Sequence, residues 1–226
     1  MLTIIDYGIG NLRSIEKAFQ AVGVDVLRTD RVADIERAER LVLPGVGAFG
    51  ACAAEIRRRG LEQPILDAVA RGKPFLGVCI GMQLLFEESE EMGRHRGLGI
   101  LPGRVVKFTG HPVPAGVPTY KGAPEPSEEA TDGEKPLKIP HMGWNRIVPE
   151  QSSPLLEGIE PGAYFYFVHS YHALPEDTAD VIAHSEYGMP FPAIVGRNNV
   201  FGVQFHPEKS QKNGLDILRN FSTILI

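Results

Sequence analysis

Cysteine is scarce in this chain: Cys52 and Cys79 are the only two among 226 residues. Two thiols cannot build the disulfide framework of a small secreted protein, and a thiol reserved for chemistry must stay reduced, so a cytoplasmic location is expected. A long apolar run is also missing, which argues against a bilayer span. A first strand beginning at Leu2 leaves no room for a signal peptide, so none is expected. Nor is there an excess of positive charge: 23 Lys and Arg against 28 Asp and Glu give a formal net charge of −5, which argues against nucleic acid as a main partner. His95, His111, His172 and His184 show no ligand spacing with cysteines or carboxylates. They read as surface or structural residues, and no metal or other cofactor is expected. No internal repeat is found.

What is present reads as an α/β chain, long enough for one domain with a sizeable core. Residues 2–5 form an apolar strand, and Asn11 then precedes Leu12, Ile15, Phe19 and Val22, spaced for one face of a helix that stops at Gly23. Residues 24–27 and 40–43 are further strands with a helical stretch between them, the alternation that predicts a mainly parallel sheet with helices on both faces. A helix is expected to follow Cys79 and to end near Glu91. Beyond it, 100–108, 163–172, 181–186, 193–197 and 200–205 are strand-like with short separations, so antiparallel pairs are expected there, with a closing helix over 213–226. Residues 109–138 are too rich in Pro, Gly and acid to pack a core and are expected to form a solvated, mobile surface loop, with a regulatory or binding role the alternative that their position just before His141 leaves open.

The chemistry concentrates in two places. In Phe75-Leu76-Gly77-Val78-Cys79-Ile80-Gly81-Met82-Gln83 a strand-like run ends at a cysteine with glycines two residues away on either side. This is a nucleophile elbow built on sulfur, in which a helix N-terminus faces the thiol and favours thiolate. Phe205-His206-Pro207-Glu208 supplies a histidine base and, two residues on, a carboxylate to orient it. By itself the first motif could be a buried structural cysteine and the second an ordinary turn. Both follow strand-like runs, however, and in a parallel sheet both would end on the same edge, where open α/β folds place their sites. Pro44-Gly45-Val46-Gly47 frees the backbone to present an N–H to an oxyanion, and the N–H of Ile80 would be the second donor. Gly8-Ile9-Gly10 invites a dinucleotide reading, but Arg13 stands where the third glycine should be.

These motifs, together with Asp6-Tyr7-Gly8-Ile9-Gly10-Asn11-Leu12, Leu43-Pro44-Gly45-Val46-Gly47-Ala48-Phe49, Pro140-His141-Met142-Gly143-Trp144-Asn145, Tyr166-Phe167-Val168-His169-Ser170-Tyr171 and Gly202 to Ser210, resemble the class I glutamine amidotransferases nearly end to end. Within them the resemblance is to the branch that supplies ammonia to a (β/α)8-barrel cyclase in histidine biosynthesis. It implies a three-layer α/β fold with a mainly parallel central sheet, and hydrolysis of glutamine to glutamate and ammonia. The ammonia would pass within a heterodimer to the cyclase, which forms imidazole glycerol phosphate and an aminoimidazole carboxamide ribotide. By resemblance Cys79, His206 and Glu208 are catalytic, Val46 supplies the loop N–H, and Gly47 and Gln83 help hold the substrate. Asn11, Trp144, Tyr166 and Lys209 are expected at the partner interface, and His141 and His169 to be structural or substrate-adjacent. The competing readings are another Cys-His hydrolase of the same topology, a non-catalytic scaffold, and a glutaminase serving a different synthase such as that of vitamin B6. Homologues are expected to cross 109–138 in a much shorter connection.

Overall fold

The computed structural model describes residues 1–111, 123 and 136–224. The insertion expected at 109–138 therefore lies outside the described residues except for its ends and Ala123. The first half alternates strand and helix: β1 (Leu2–Ile5), α1 (Leu12–Ala21), β2 (Val26–Thr29), α2 (Val32–Arg37), β3 (Arg40–Gly45), α3 (Phe49–Arg58), α4 (Glu62–Ala70), β4 (Phe75–Cys79) and α5 (Ile80–Gln83). The second half is strand-rich, with β5 (Phe86–Ser89), β6 (His95–Arg96), β7 (Leu101–Lys107), β8 (His141–Arg146), β9 (Val148–Pro149), β10 (Tyr164–His169), β11 (Tyr171–Pro175), β12 (Val181–Glu186), β13 (Pro190–Arg197) and β14 (Val200–Val203). A last helix, α6, spans Gln211–Thr223.

An eight-stranded sheet in the order β2-β1-β3-β4-β14-β13-β12-β9 organises the fold. From β2 to β14 neighbours are parallel, and from β14 to β9 they are antiparallel. β1, β4 and β14 are buried along their whole length, as parallel strands covered on both faces must be. The chain runs outward from β1 to β2 and then back past it to β3 and β4. Right-handed crossovers consequently place α1 on one face and α2, α3 and α4 on the other. Contacts of α1 with α6, and of α2 with α4, agree with this layering. The antiparallel half adds a two-stranded ribbon, β8 with β10, and a four-stranded sheet, β11-β7-β5-β6. No helix among the described residues is long and apolar enough to cross a membrane.

The helix expected from Cys79 to Glu91 is a single turn, and Phe86–Ser89 is a strand instead. Burial in β5 goes to Phe86 and Ser89, and the strand pairs with β7 on one side and β6 on the other. Sheet pairing there overrides the helix propensity of the glutamate-rich run. One turn aligns few peptide dipoles, so the helix field expected to favour the thiolate is small. The stretch expected as one strand over 163–172 is divided at Ser170 into β10 and β11, which pair with β8 and β7 respectively. Helices α3 and α4 occupy a stretch to which sequence periodicity assigned no element.

Candidate active site

The strand register builds the site. Gly45 lies opposite Cys79 across the β3–β4 pair, and Val203 lies opposite Val78 across the β14–β4 pair, so the residues just after β14 flank the cysteine. Cys79 has φ 56° and ψ −111°, a conformation that costs a non-glycine residue on the order of 1–3 kcal/mol and concentrates at functional sites. The adjacent glycines are needed for a different reason. A Cβ at Gly77 would overlap the Gly81 carbonyl, and one at Gly81 would overlap that of Leu43. They let the turn press against β3 and β4 while the strained backbone is carried by the cysteine itself.

His206 follows the β14 strand end, and a 3-10 turn over Pro207–Lys209 brings Glu208 back to it. His206 Nδ1 is 2.9 Å from Glu208 Oε1, and both side chains are almost fully buried. The imidazole is also within hydrogen-bonding reach of Cys79. Burial by itself lowers the affinity of this ring for a proton. Hydrogen bonds to Cys79 and Glu208, reinforced by their charges, outweigh it and push His206 up to about 10. The backbone around it is tied to the β8–β10 ribbon. The His206 N–H donates to the Tyr166 carbonyl (2.9 Å), the Tyr166 N–H donates to Ser210 Oγ (2.9 Å), and that hydroxyl donates to the His206 carbonyl (2.7 Å).

Cys79 and His206 open onto a cavity of about 410 Å³ whose wall includes Val46, Gly47, Ile80 and Gln83, all four singled out from the sequence. Two buried donors anchor the loop that carries Val46. The Tyr7 hydroxyl donates to the Pro44 carbonyl (2.9 Å), and the Cys52 thiol donates to the Val46 carbonyl (3.5 Å). Burial holds both groups above their ordinary pKa range, so both keep the proton they donate. Gly47 has φ +90°, where a side chain would be strained. Gln83 is fully buried and donates through Nε2 to the Tyr171 carbonyl (3.1 Å) and to Gln204 Oε1 (3.0 Å).

Two residues at this site escaped the sequence reading. Glu91 is on the cavity wall, its Oε2 accepting the Phe49 N–H at 2.6 Å. Its position in a run of glutamates gave no signal. Gln204 is fully buried, with its side-chain Nε2 at 3.9 Å from Cys79 Sγ. A signal was available for Gln204, because a residue two before His206 at a strand end shares its face.

Behind the cavity is a second set of histidines. His169, on the cavity wall, faces the Tyr171 carbonyl with Nδ1 (2.8 Å) and His141 Nδ1 with Nε2 (3.0 Å). A carbonyl can only accept, so His169 carries its proton on Nδ1 and accepts from His141 at Nε2. His141 Nε2 in turn accepts from Asn145 Nδ2 (3.2 Å). Burial lowers His141 to about 4, and burial followed by the proximity of His141 holds His169 well below the ordinary imidazole range. Both rings are neutral.

The residues expected at an interface lie on the outer face of the ribbon and beside it. Alternation along β8 and β10 turns His141, Phe165, Phe167 and His169 inward and Met142, Trp144 and Tyr164 outward, where all three are exposed. Trp144 meets Tyr166 edge-on at 6.1 Å between ring centroids, and Lys209 Nζ is 5.6 Å above the Tyr166 ring. Lys209 also belongs to the cavity wall. Asn11 is exposed at the start of α1, which packs against the 3-10 turn 207–209, and makes no side-chain capping bond there.

A family model described as "Glutamine amidotransferase class-I" matches residues 3–224. The chain is 57% identical to the imidazole glycerol phosphate synthase subunit HisH of Salinibacter ruber, over 99% of this chain and 94% of that protein. It is 49% identical to the subunit of the same name from Syntrophotalea carbinolica, over 98% of each. Among solved structures it is similar to a glutamine amidotransferase (TM-score 0.69, 17% identity, 98% of this chain and 99% of the other). It is likewise similar to a chain of PurLQS from Thermotoga maritima (TM-score 0.68, 19% identity, 98% and 96%). At such low identity these two likenesses concern the fold.

Proposed function

The chain belongs to the class-I glutamine amidotransferase family, and on that premise we propose that it is the glutaminase subunit of an imidazole glycerol phosphate synthase. The observation that carries this reading is that Cys79 and His206 open onto one cavity at the end of the parallel strands, with Glu208 behind them on His206 Nδ1. Cys79 thiolate attacks the side-chain amide carbon of glutamine, and the N–H groups of Ile80 and Val46 receive the charge that develops on the amide oxygen. The C–N bond breaks as imidazolium His206 gives its proton to the departing ammonia, leaving a glutamyl thioester on Cys79. His206, now neutral, takes a proton from water. The resulting hydroxide attacks the thioester, the C–S bond breaks, and glutamate leaves. Glu208 fixes the tautomer and orientation of the ring throughout. Gly47 and Gln83 hold the substrate, and the carboxylate of Glu91 matches the ammonium end of a free amino acid.

Released into water, ammonia would mostly become ammonium and lose its nucleophilicity, so it passes directly to a docked cyclase. In our reading that partner is a (β/α)8 barrel forming a heterodimer with this chain. It covers Trp144, Tyr166, Lys209 and Asn11 at the carboxyl edge of the sheet, in a reducing, cytoplasmic setting that preserves the thiol. The outward apolar side chains of the ribbon and the dual position of Lys209 support that face. Glutamate release should be slow for the isolated chain and rise on titration with the cyclase and its nucleotide ligand. No hydrolysis under any of these conditions would sink the glutaminase reading, whereas full turnover by the chain alone would sink the coupling.

A further inference from the structure

The one-turn helix after Cys79 leaves a question: what, besides His206, meets negative charge on the sulfur of a residue that is 3% exposed? We propose that Gln204 is a positioning residue for the nucleophile, donating from its amide to the Cys79 thiolate in an orientation imposed by Gln83. The inference rests on the glutaminase reading for its purpose but not for its geometry.

An amide side chain can present either its oxygen or its nitrogen, and only the surrounding bonds decide which. Here one backbone carbonyl decides for two residues. Tyr171 O can only accept, so Gln83 turns Nε2 toward it (3.1 Å). The second hydrogen of that Nε2 reaches Gln204 Oε1 (3.0 Å), and Gln204 must then aim its own Nε2 at Cys79 Sγ (3.9 Å, at the long end for a sulfur acceptor). Were Gln204 reversed, two N–H donors would face each other and a carbonyl oxygen would face the thiolate. Gln83 and Gln204 are 1% and 0% exposed, so no bulk water competes for these bonds. The strand register explains why position 204 is the one that reaches, since Val203 pairs with Val78 immediately before the elbow. A hydrogen bond to the charged form of a group favours that form, and thiolate is the form that attacks.

The test uses iodoacetamide rather than glutamine, on the full-length chain, with alkylation of the Cys79 peptide resolved by mass spectrometry so that Cys52 does not interfere. Gln204→Leu should shift the pH–rate profile for Cys79 alkylation upward by about one pH unit, a roughly tenfold slower reaction on the rising limb. Gln204→Glu, which puts a carboxylate beside the sulfur, should shift it further. Gln83→Leu should act in the same direction, and Gln83→Leu/Gln204→Leu should be no slower than Gln204→Leu alone, because the two residues act in series. Should Gln204→Leu fail to fold by circular dichroism, Gln204→Met keeps the length and removes the donor. A folded Leu or Met variant whose profile superimposes on that of the parent chain overturns the proposal. Since no glutamine enters the assay, failure of the glutaminase reading would register separately, as absent turnover in the unaltered protein.

Discussion

His206 and His169 line the same cavity and are buried to nearly the same extent, yet one is driven to carry a charge and the other to stay neutral. Burial pushes both toward the neutral form. For His206 a thiol and a carboxylate reverse the outcome, whereas His169 has a carbonyl, another histidine and the charge of His206 itself around it. The comparison teaches that the partners of a buried imidazole can reverse what burial does to it, and that a charged and a neutral ring can share one wall. The inner set is neutral chiefly because it is buried, and the charge of His206 adds a smaller push in the same direction at His169.

The largest effect should come from removing the thiol. Cys79→Ala takes away the proposed nucleophile and one of the two partners that hold the His206 proton. Glutamine-dependent synthesis by the complex should fall by on the order of 10⁴-fold or more, while synthesis from added ammonium salt stays near normal. Retained glutamine turnover in that variant would show that another group is the nucleophile. Next in size is Glu208→Gln, which makes the surroundings of His206 resemble those of His169. Glutamine turnover with cyclase present should drop about a thousandfold. Nitrogen-15 NMR of the ring should show the proton lost at lower pH than in the parent chain, and an unchanged titration would mean that Glu208 does not set the charge.

The same contrast predicts how stability depends on pH, with opposite signs at the two ends. His141 and His172 are lowered to about 4 by burial, so their neutral state supports the fold fully above the unfolded value near 6.5. That support is lost as pH falls through about 4, by roughly 3 kcal/mol for each ring. His206, raised to about 10, contributes fully below 6.5 and loses its contribution as pH rises through 10. Urea unfolding measured from pH 7 down to 4.5 should therefore steepen in its loss of stability, and His172→Phe, packed on the ring of Phe108, should make that limb shallower. An acid limb of equal slope in His172→Phe would place the sensitivity elsewhere.

How much of this could be read in the sequence follows from the range of the interactions involved. The elbow at Cys79 and the pair His206 and Glu208 are local patterns, each contained within a few residues, and the alternation of strand and helix from Leu2 to Leu43 is periodic. These were legible. The strand Phe86–Ser89 was not, because its assignment depends on pairing with β6 and β7 and its glutamates read as helix formers. The amide relay through Gln204 joins positions 171, 83, 204 and 79, and no spacing announces such a connection. For the same reason the anchoring of the Val46 loop by Tyr7 and Cys52 became visible only in three dimensions.

The smallest of the expected effects tests where the reactive side of the comparison meets a partner. Lys209 follows Glu208 in the same 3-10 turn, so the segment that fixes the charged histidine also carries a cation to the surface beside Tyr166. The Tyr166 backbone in turn holds His206 through its carbonyl and through Ser210. A carboxylate on the cyclase that engaged Lys209 would load this turn directly. Lys209 is exposed, and truncating a rim charge changes affinity modestly. Lys209→Ala should therefore weaken binding or its coupling to glutamate release by up to about tenfold, close to 1.4 kcal/mol, with no change in fold. Trp144→Ala, which removes an aromatic anchor from the same patch, provides the larger reference effect. Calorimetry with the cyclase, run beside a glutamate-release assay, separates the two quantities. Unchanged affinity and unchanged stimulation in Lys209→Ala would mean that the charged turn communicates with the partner only through the Tyr166 backbone, and the docking face would shift toward Trp144 and Met142.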